Sequence, residues 1–214
     1  DNLYVLRLPL PFALNHVNCY LLRDDDRGEG WTVVDAGLNR AEVRAAWQAA
    51  WAELGVKPQQ IKRIVLTHMH PDHFGLAGWL QEQSGAPVLL SPREAEVARV
   101  TWIEDIDAER AEVVRRYLHS AGATPEVAAV ITAQQDHLRS LTYPHPRRID
   151  TLAPGATIDM GGRRFTAIHA PGHADGQLLF YCAEERLLLC GDQVMQRITP
   201  NIGVWPTTEP SPLA

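Results

Sequence analysis

The run from Thr67 to Gly75 reads Thr-His-Met-His-Pro-Asp-His-Phe-Gly and places His68, His70, Asp72 and His73 within six positions. Neutral imidazoles and carboxylates are the usual ligands of zinc and of chemically similar divalent ions. An H-x-H-x-D-H cluster therefore points to metal binding; a polar loop that is rich in histidine by chance is the plain alternative. The cluster follows apolar Ile64, Val65 and Leu66, the end of a strand expected over residues 61–66. Alternation along an extended chain puts His68 and His70 on one side. Asp72 is placed to cap a following helix, with His73 in its first turn, and that helix is expected to run to Ser84 with Gly85 closing it.

The elements that must position this cluster alternate between strand and helix. Strands are expected at 3–8, 18–22, 31–34 and 87–90, and a helix at 40–54, where Val43, Trp47 and Leu54 recur at helical spacing. Trp47 and Trp51, four apart, share a face and read as core. The acidic, Gly-containing stretch 24–30 reads as a turn. Ser91-Pro92-Arg93-Glu94 has the form of a capping box with proline in the first turn. From there to about 141 the chain reads as helical, stopped at Gly122 and restarted at Thr124-Pro125. This block, 91–147, is read as a helical insertion that covers a pocket or joins two copies in a homodimer. His119, His137 and His145 lie in or beside it and read as surface or substrate-contact groups. After Pro146 the texture is β, with strands at 148–152, 156–159, 164–169, 177–182 and 187–190. Their ends carry His173, in Pro171-Gly172-His173, and Asp192, after Gly191.

The 214 residues suffice for one sizeable core. A net charge of −6 without a basic run argues against a nucleic-acid surface. No apolar stretch approaches a membrane span, and no secretory signal is visible. Cys19, Cys182 and Cys190 lie in apolar runs and read as buried small hydrophobes, which suits a reducing, cytoplasmic setting.

Taken together, Thr-His-x-His-x-Asp-His-x-Gly, then Pro-Gly-His, then Gly-Asp, preceded by Val33-Val34-Asp35-Ala36-Gly37, resembles the metallo-β-lactamase superfamily, and its glyoxalase-II-like hydrolases in particular. The resemblance spans residues 33–192. It implies an α/β fold, a four-layer αββα sandwich formed by a single domain over 1–214. It also implies a binuclear centre: zinc held by His68, His70 and His173, a second ion by Asp72 and His73, and Asp192 bridging. Asp35 would be the non-ligand aspartate that braces the loop, and Gly75 and Gly172 would let backbone pass close to the site.

One departure stands out. The family's last histidine, which completes the second metal position, has no counterpart after His173, and the last strand and helix of the second half are missing. The expectation is a chain cut short of its natural C-terminus; His16 and His145 are poor substitutes.

The expected activity is hydrolysis of an ester, thioester or lactone of modest size by a metal-bound hydroxide, with Asp72 as the catalytic acid–base group. Zinc is expected, with iron or manganese as the other candidates. Histidine at position 70, where flavodiiron relatives carry glutamate, favours hydrolysis over redox chemistry. Phosphodiester or RNA hydrolysis, sulfur oxidation at a mononuclear iron, and a metal-free binding module are the competing readings. Substrate choice is expected to rest in 91–147 and the 195–206 loop, with Trp102, Tyr117, Tyr143, His145 and Arg147 as candidate pocket walls.

Overall fold

The computed structural model describes residues 2–25 and 29–212. Of the turn expected at 24–30, residues 26–28 lie outside the described residues. Strands β1 (Leu3–Pro9), β2 (His16–Arg23) and β3 (Trp31–Val34) are followed by helix α1 (Ala41–Leu54) and strand β4 (Ile61–Val65). Helices α2 (Pro71–Phe74) and α3 (Ala77–Ser84) lead to β5 (Val88–Leu90). Helices α4 (Pro92–Ala98), α5 (Ala108–Ser120) and α6 (Pro125–Ser140) then separate β5 from β6 (Ile149–Thr151). Strands β7 (Thr157–Met160), β8 (Arg163–His169), β9 (Leu178–Cys182) and β10 (Leu187–Leu189) complete the set.

β1 to β6 form one sheet in sequence order, antiparallel through β3 and parallel beyond it. β7 to β10 form a second, antiparallel sheet. The central strands are buried on both faces, which is why they read as continuous apolar runs. Leu21, Val33 and Ile64 face α1 and α3, packing in one core with Trp47, Trp51 and Trp79. Their neighbours Leu22, Val34 and Val65 face the second sheet, packing with Phe165, Leu178 and Phe180. Trp51 stacks on Trp79 with ring centroids 5.4 Å apart.

On the outer face of the second sheet Ile168 and Leu188 remain 39% exposed, so among the described residues no helix layer covers it. The mixed α/β fold thus presents a helix layer and two stacked sheets, three of the layers of an αββα sandwich. No described helix is long and apolar enough to cross a membrane.

Local expectations are corrected at three places. Asp72 does not cap a helix: α2 starts at Pro71, its N-cap is His70, and no side chain caps it. The helix expected to reach Ser84 is broken, because the Leu76 N–H turns to the Gly37 carbonyl at 2.8 Å. At that break Gly75 packs so closely that a Cβ would stand 2.8 Å from the Leu141 carbonyl. Third, Cys19 and Cys182 are buried, but Cys190 follows β10 in a turn and is partly exposed.

Candidate metal centre

The site begins with a buried aspartate. Asp35 follows β3 with φ +60, a conformation that costs most side chains about 1 kcal/mol and that aspartate tolerates better than others. Its Oδ1 accepts the Thr67 N–H at 2.8 Å, and Thr67 Oγ1 lies 2.9 Å from Oδ2. His73 Nδ1 lies 2.9 Å from the same Oδ2. One carboxylate thus ties the end of β4 to α2. Behind it the Trp47 indole N–H donates to the Ala36 carbonyl at 2.8 Å, and the Ala36 N–H donates to the His73 carbonyl at 2.8 Å.

These contacts set the histidine tautomers. The Thr67 hydroxyl proton is engaged by Asp35, so His68 Nδ1, 3.0 Å from Thr67 Oγ1, is the donor of that pair. His68 Nε2 is left with its lone pair. His173 Nδ1 lies 2.8 Å from the Asn201 carbonyl and donates to it, which in a neutral ring leaves Nε2 with its lone pair. Both free nitrogens face His70 Nδ1, at 3.0 and 2.8 Å. His70 can offer one proton at most to two lone pairs. Burial, together with the neighbouring imidazoles, holds His68 well below the usual histidine range and His70 down to about 3. Three imidazoles therefore converge on one point, two of them held neutral by burial. Ligands of a tetrahedral zinc with bonds of about 2.05 Å stand roughly 3.3 Å apart, so a small outward movement of these nitrogens fits such an ion.

The other side of His68 carries charge. His73 Nε2 is buried and has no hydrogen-bond partner. It stands 3.2 Å from Asp192 Oδ1, misaligned for a hydrogen bond, and 3.8 Å from Asp72 Oδ2. Asp192 Oδ2 lies 3.4 Å from His173 Nε2, so its two oxygens face opposite sides of the site. Burial lowers the His73 proton affinity, but Asp35, Asp72 and Asp192 outweigh it and hold His73 well above the usual range. Burial pushes Asp192 up, yet His73, His173 and His70 hold it at about 2. Asp72 is raised, chiefly by burial. Asp192 is positioned by Gly191, whose φ is +49 and where a Cβ would stand 2.9 Å from Thr67 Oγ1.

Two overlapping sets are therefore close enough to hold an ion: His68 with His70 and His173, and His68 with His73 and Asp192. Asp72 lies beside the second set without joining it. His16 and His145 belong to neither; they contact Asn15 and Thr142.

Several participants carry no usable sequence signal. Asn201 acts through a backbone carbonyl. The sequence assigns Glu94 to a capping box, but only half of that box forms. Ser91 Oγ accepts the Glu94 N–H at 3.1 Å, while the Glu94 carboxylate turns to the site loops. A solvent-open concavity of about 420 Å³ beside His70 and His173 is lined by Met69, Val97, Asn201, Gly203 and Trp205 among others. None of Trp102, Tyr117, Tyr143, His145 or Arg147 lines it.

The sequence model of the metallo-beta-lactamase superfamily matches residues 13–213. A metallo-beta-lactamase family protein from Thermus thermophilus is 33% identical and superposes with a TM-score of 0.85, over 99% of this chain and 66% of that one. The probable metallo-hydrolase YqjP of Bacillus subtilis is 26% identical over 94% of this chain and 60% of its own length. The acyl-coenzyme A thioesterase MBLAC2 of Gallus gallus is 28% identical over 84% of this chain and 58% of its own. This chain thus spans little more than half of either curated relative. Fold, motif order and the extent of the match agree: the chain belongs to the metallo-beta-lactamase superfamily.

Proposed function

We propose that the protein is a zinc-dependent hydrolase of the glyoxalase-II-like kind, acting on a thioester, ester or lactone of modest size. The observation that carries this reading is the convergence of three imidazoles, with His68 Nε2 and His173 Nε2 both facing His70 Nδ1 at 3.0 and 2.8 Å. His68, His70 and His173 would hold one ion. His73 and Asp72 would hold a second, and Asp192, with one oxygen toward each side, would bridge the two. Bound there, divalent metal supplies Lewis acidity and lowers the pKa of water at the site.

The chain's own groups supply the rest. Asp35 and Thr67 keep His68 in the tautomer that points its lone pair inward. Asp72 is a carboxylate whose proton affinity burial raises, which suits it to taking up a proton late in the reaction. The concavity beside His70 and His173, with Met69, Val97 and Trp205 among mostly polar neighbours, is where a substrate would reach the site. Thioester chemistry is favoured by the chicken relative, whose name gives it as an acyl-coenzyme A thioesterase. The unpaired, buried Cys19 and Cys182 suit a reducing cytoplasm.

Metal analysis joined to a substrate panel tests the reading. Purified protein is expected to carry zinc, to hydrolyse short-chain acyl-coenzyme A thioesters, to lose that turnover on chelation and to regain it with zinc. Fully metal-loaded protein that turns over no thioester, ester or lactone would refute it.

A further inference from the structure

Glu94 is 1% exposed and belongs to neither set of metal-competent residues. Its Oε2 accepts the Met69 N–H at 2.7 Å, and its Oε1 accepts the Gly176 N–H at 2.7 Å. Met69 sits between His68 and His70, and Gly176 ends the turn that begins at His173. One carboxylate therefore joins the two loops whose imidazoles must converge. The other side of the Met69 peptide is held too, because the Trp102 indole N–H donates to the Met69 carbonyl at 2.8 Å.

Both grips come from one helical segment. Eight residues at about 100° each leave Trp102 roughly 80° away from Glu94 on a regular helix. The chain widens into a π turn over Arg99–Ile103, and the extra residue it takes up rotates Trp102 back by about 100°, onto the face of Glu94. Arg93 adds a third tie, donating to Asp175 Oδ2 at 2.8 Å beside Gly176.

A carboxylate buried to this degree is costly unless its bonds repay the desolvation. Helix capping does not require it, since Ser91 already caps α4. We infer that Glu94, assisted by Trp102, is a positioning residue that sets the separation of His68 and His70 from His173, coupling the helical segment after β5 to the metal centre. The inference rests on the metal reading of that centre.

Zinc affinity of the full chain, measured by competition with a chromophoric chelator, tests it together with thermal unfolding of the metal-stripped protein. E94Q keeps the volume but sets an amide NH2 against one of the two N–H donors. It is expected to weaken zinc binding about 10-fold or more, in the range of an outer-shell change. W102F is expected to weaken it a few-fold. T124A removes the cap of α6, a residue that in its capping role bonds to neither loop, and is expected to leave zinc affinity unchanged. E94Q with a lowered melting temperature but zinc affinity within about twofold of the wild type would make Glu94 merely structural and overturn the inference, as would an equal loss in T124A. Should E94Q fail to fold, wild-type affinity in W102F would overturn it. Wild-type protein that takes up no zinc would overturn the metal reading itself, and the positioning role with it; that result is read before any variant is made.

Discussion

On one side of His68 lie the imidazoles of His70 and His173, with the Asn201 carbonyl behind His173 and one Asp192 oxygen 3.4 Å from it. On the other side lie His73, Asp72 and Asp192, with the Asp35 carboxylate behind. The first side is dominated by imidazoles, and burial holds His68 and His70 there to low proton affinity. The second compensates its own charge, because three carboxylates raise the proton affinity of His73. In the proposed reading an ion therefore meets rings of low proton affinity, His68 and His70, on the first side, whereas one entering the second must compete with the proton on His73. Two positions a few ångströms apart would then differ in affinity and in pH response.

The largest effect tests the residue common to both sides. His68→Gln is expected to lower turnover at least about 10³-fold, roughly 4 kcal/mol, and to empty both positions by metal analysis. His173→Gln should empty the first position and leave His73 and Asp192 able to retain an ion. Identical metal loss in the two variants would break the division into sides. Next in size is Asp72→Asn, expected to cost about 10² in kcat, the low end for a proton-transfer group, with the first position still occupied. A lost metal rather than a lowered kcat would recast Asp72 as a ligand alone.

Asp35 underlies both sides, through Thr67 to the first and through His73 to the second. Asp35→Asn exchanges one accepting oxygen for a donor that faces either Thr67 or His73. Leaving a buried charge-assisted pair unmade costs about 2–3 kcal/mol, readable as a loss of metal-free stability in urea. If only one side then lost metal affinity, the aspartate would serve that side alone.

The sequence makes the near half of this site plain and the distant half only by likeness. His68, His70, Asp72 and His73 stand in one loop at the end of an apolar strand, and their spacing alone suggests ligands. His173 and Asp192 lie more than a hundred residues away and gain meaning only from the order of motifs. The alternation of β3 and β4 between the two cores was legible because apolar runs without polar interruption demand burial on both faces. Glu94 was not, because Ser91 and Glu94 satisfy a local capping rule that the tertiary structure half overrides. Nor was the break at Gly75, since the bond that breaks the helix comes from Gly37, some forty residues earlier. Asn201 contributes a main-chain carbonyl, which any residue has.

The smallest expected effect follows from the same comparison and needs no substrate. In metal-stripped protein His68 and His70 bind protons far more weakly than they would in an unfolded chain, by burial first and by the neighbouring imidazoles second. Below the unfolded value of about 6.5 the unfolded chain takes up protons that the folded state refuses, so stability falls as pH falls. Each ring loses about 1 kcal/mol between pH 6.5 and 5.5, and the pair about 2. The second side runs differently. His73 is raised, so its contribution is fully present below 6.5 and is lost only as pH rises through its folded value. Asp192, held at about 2, keeps its contribution until pH falls below the ordinary carboxylate range. Urea unfolding of stripped protein at pH 6.5 and 5.5 should therefore show the loss, and a variant with both His68 and His70 replaced by glutamine should not. A drop of the same size in that variant would place the acid sensitivity on the carboxylate side and reverse the contrast between the two halves.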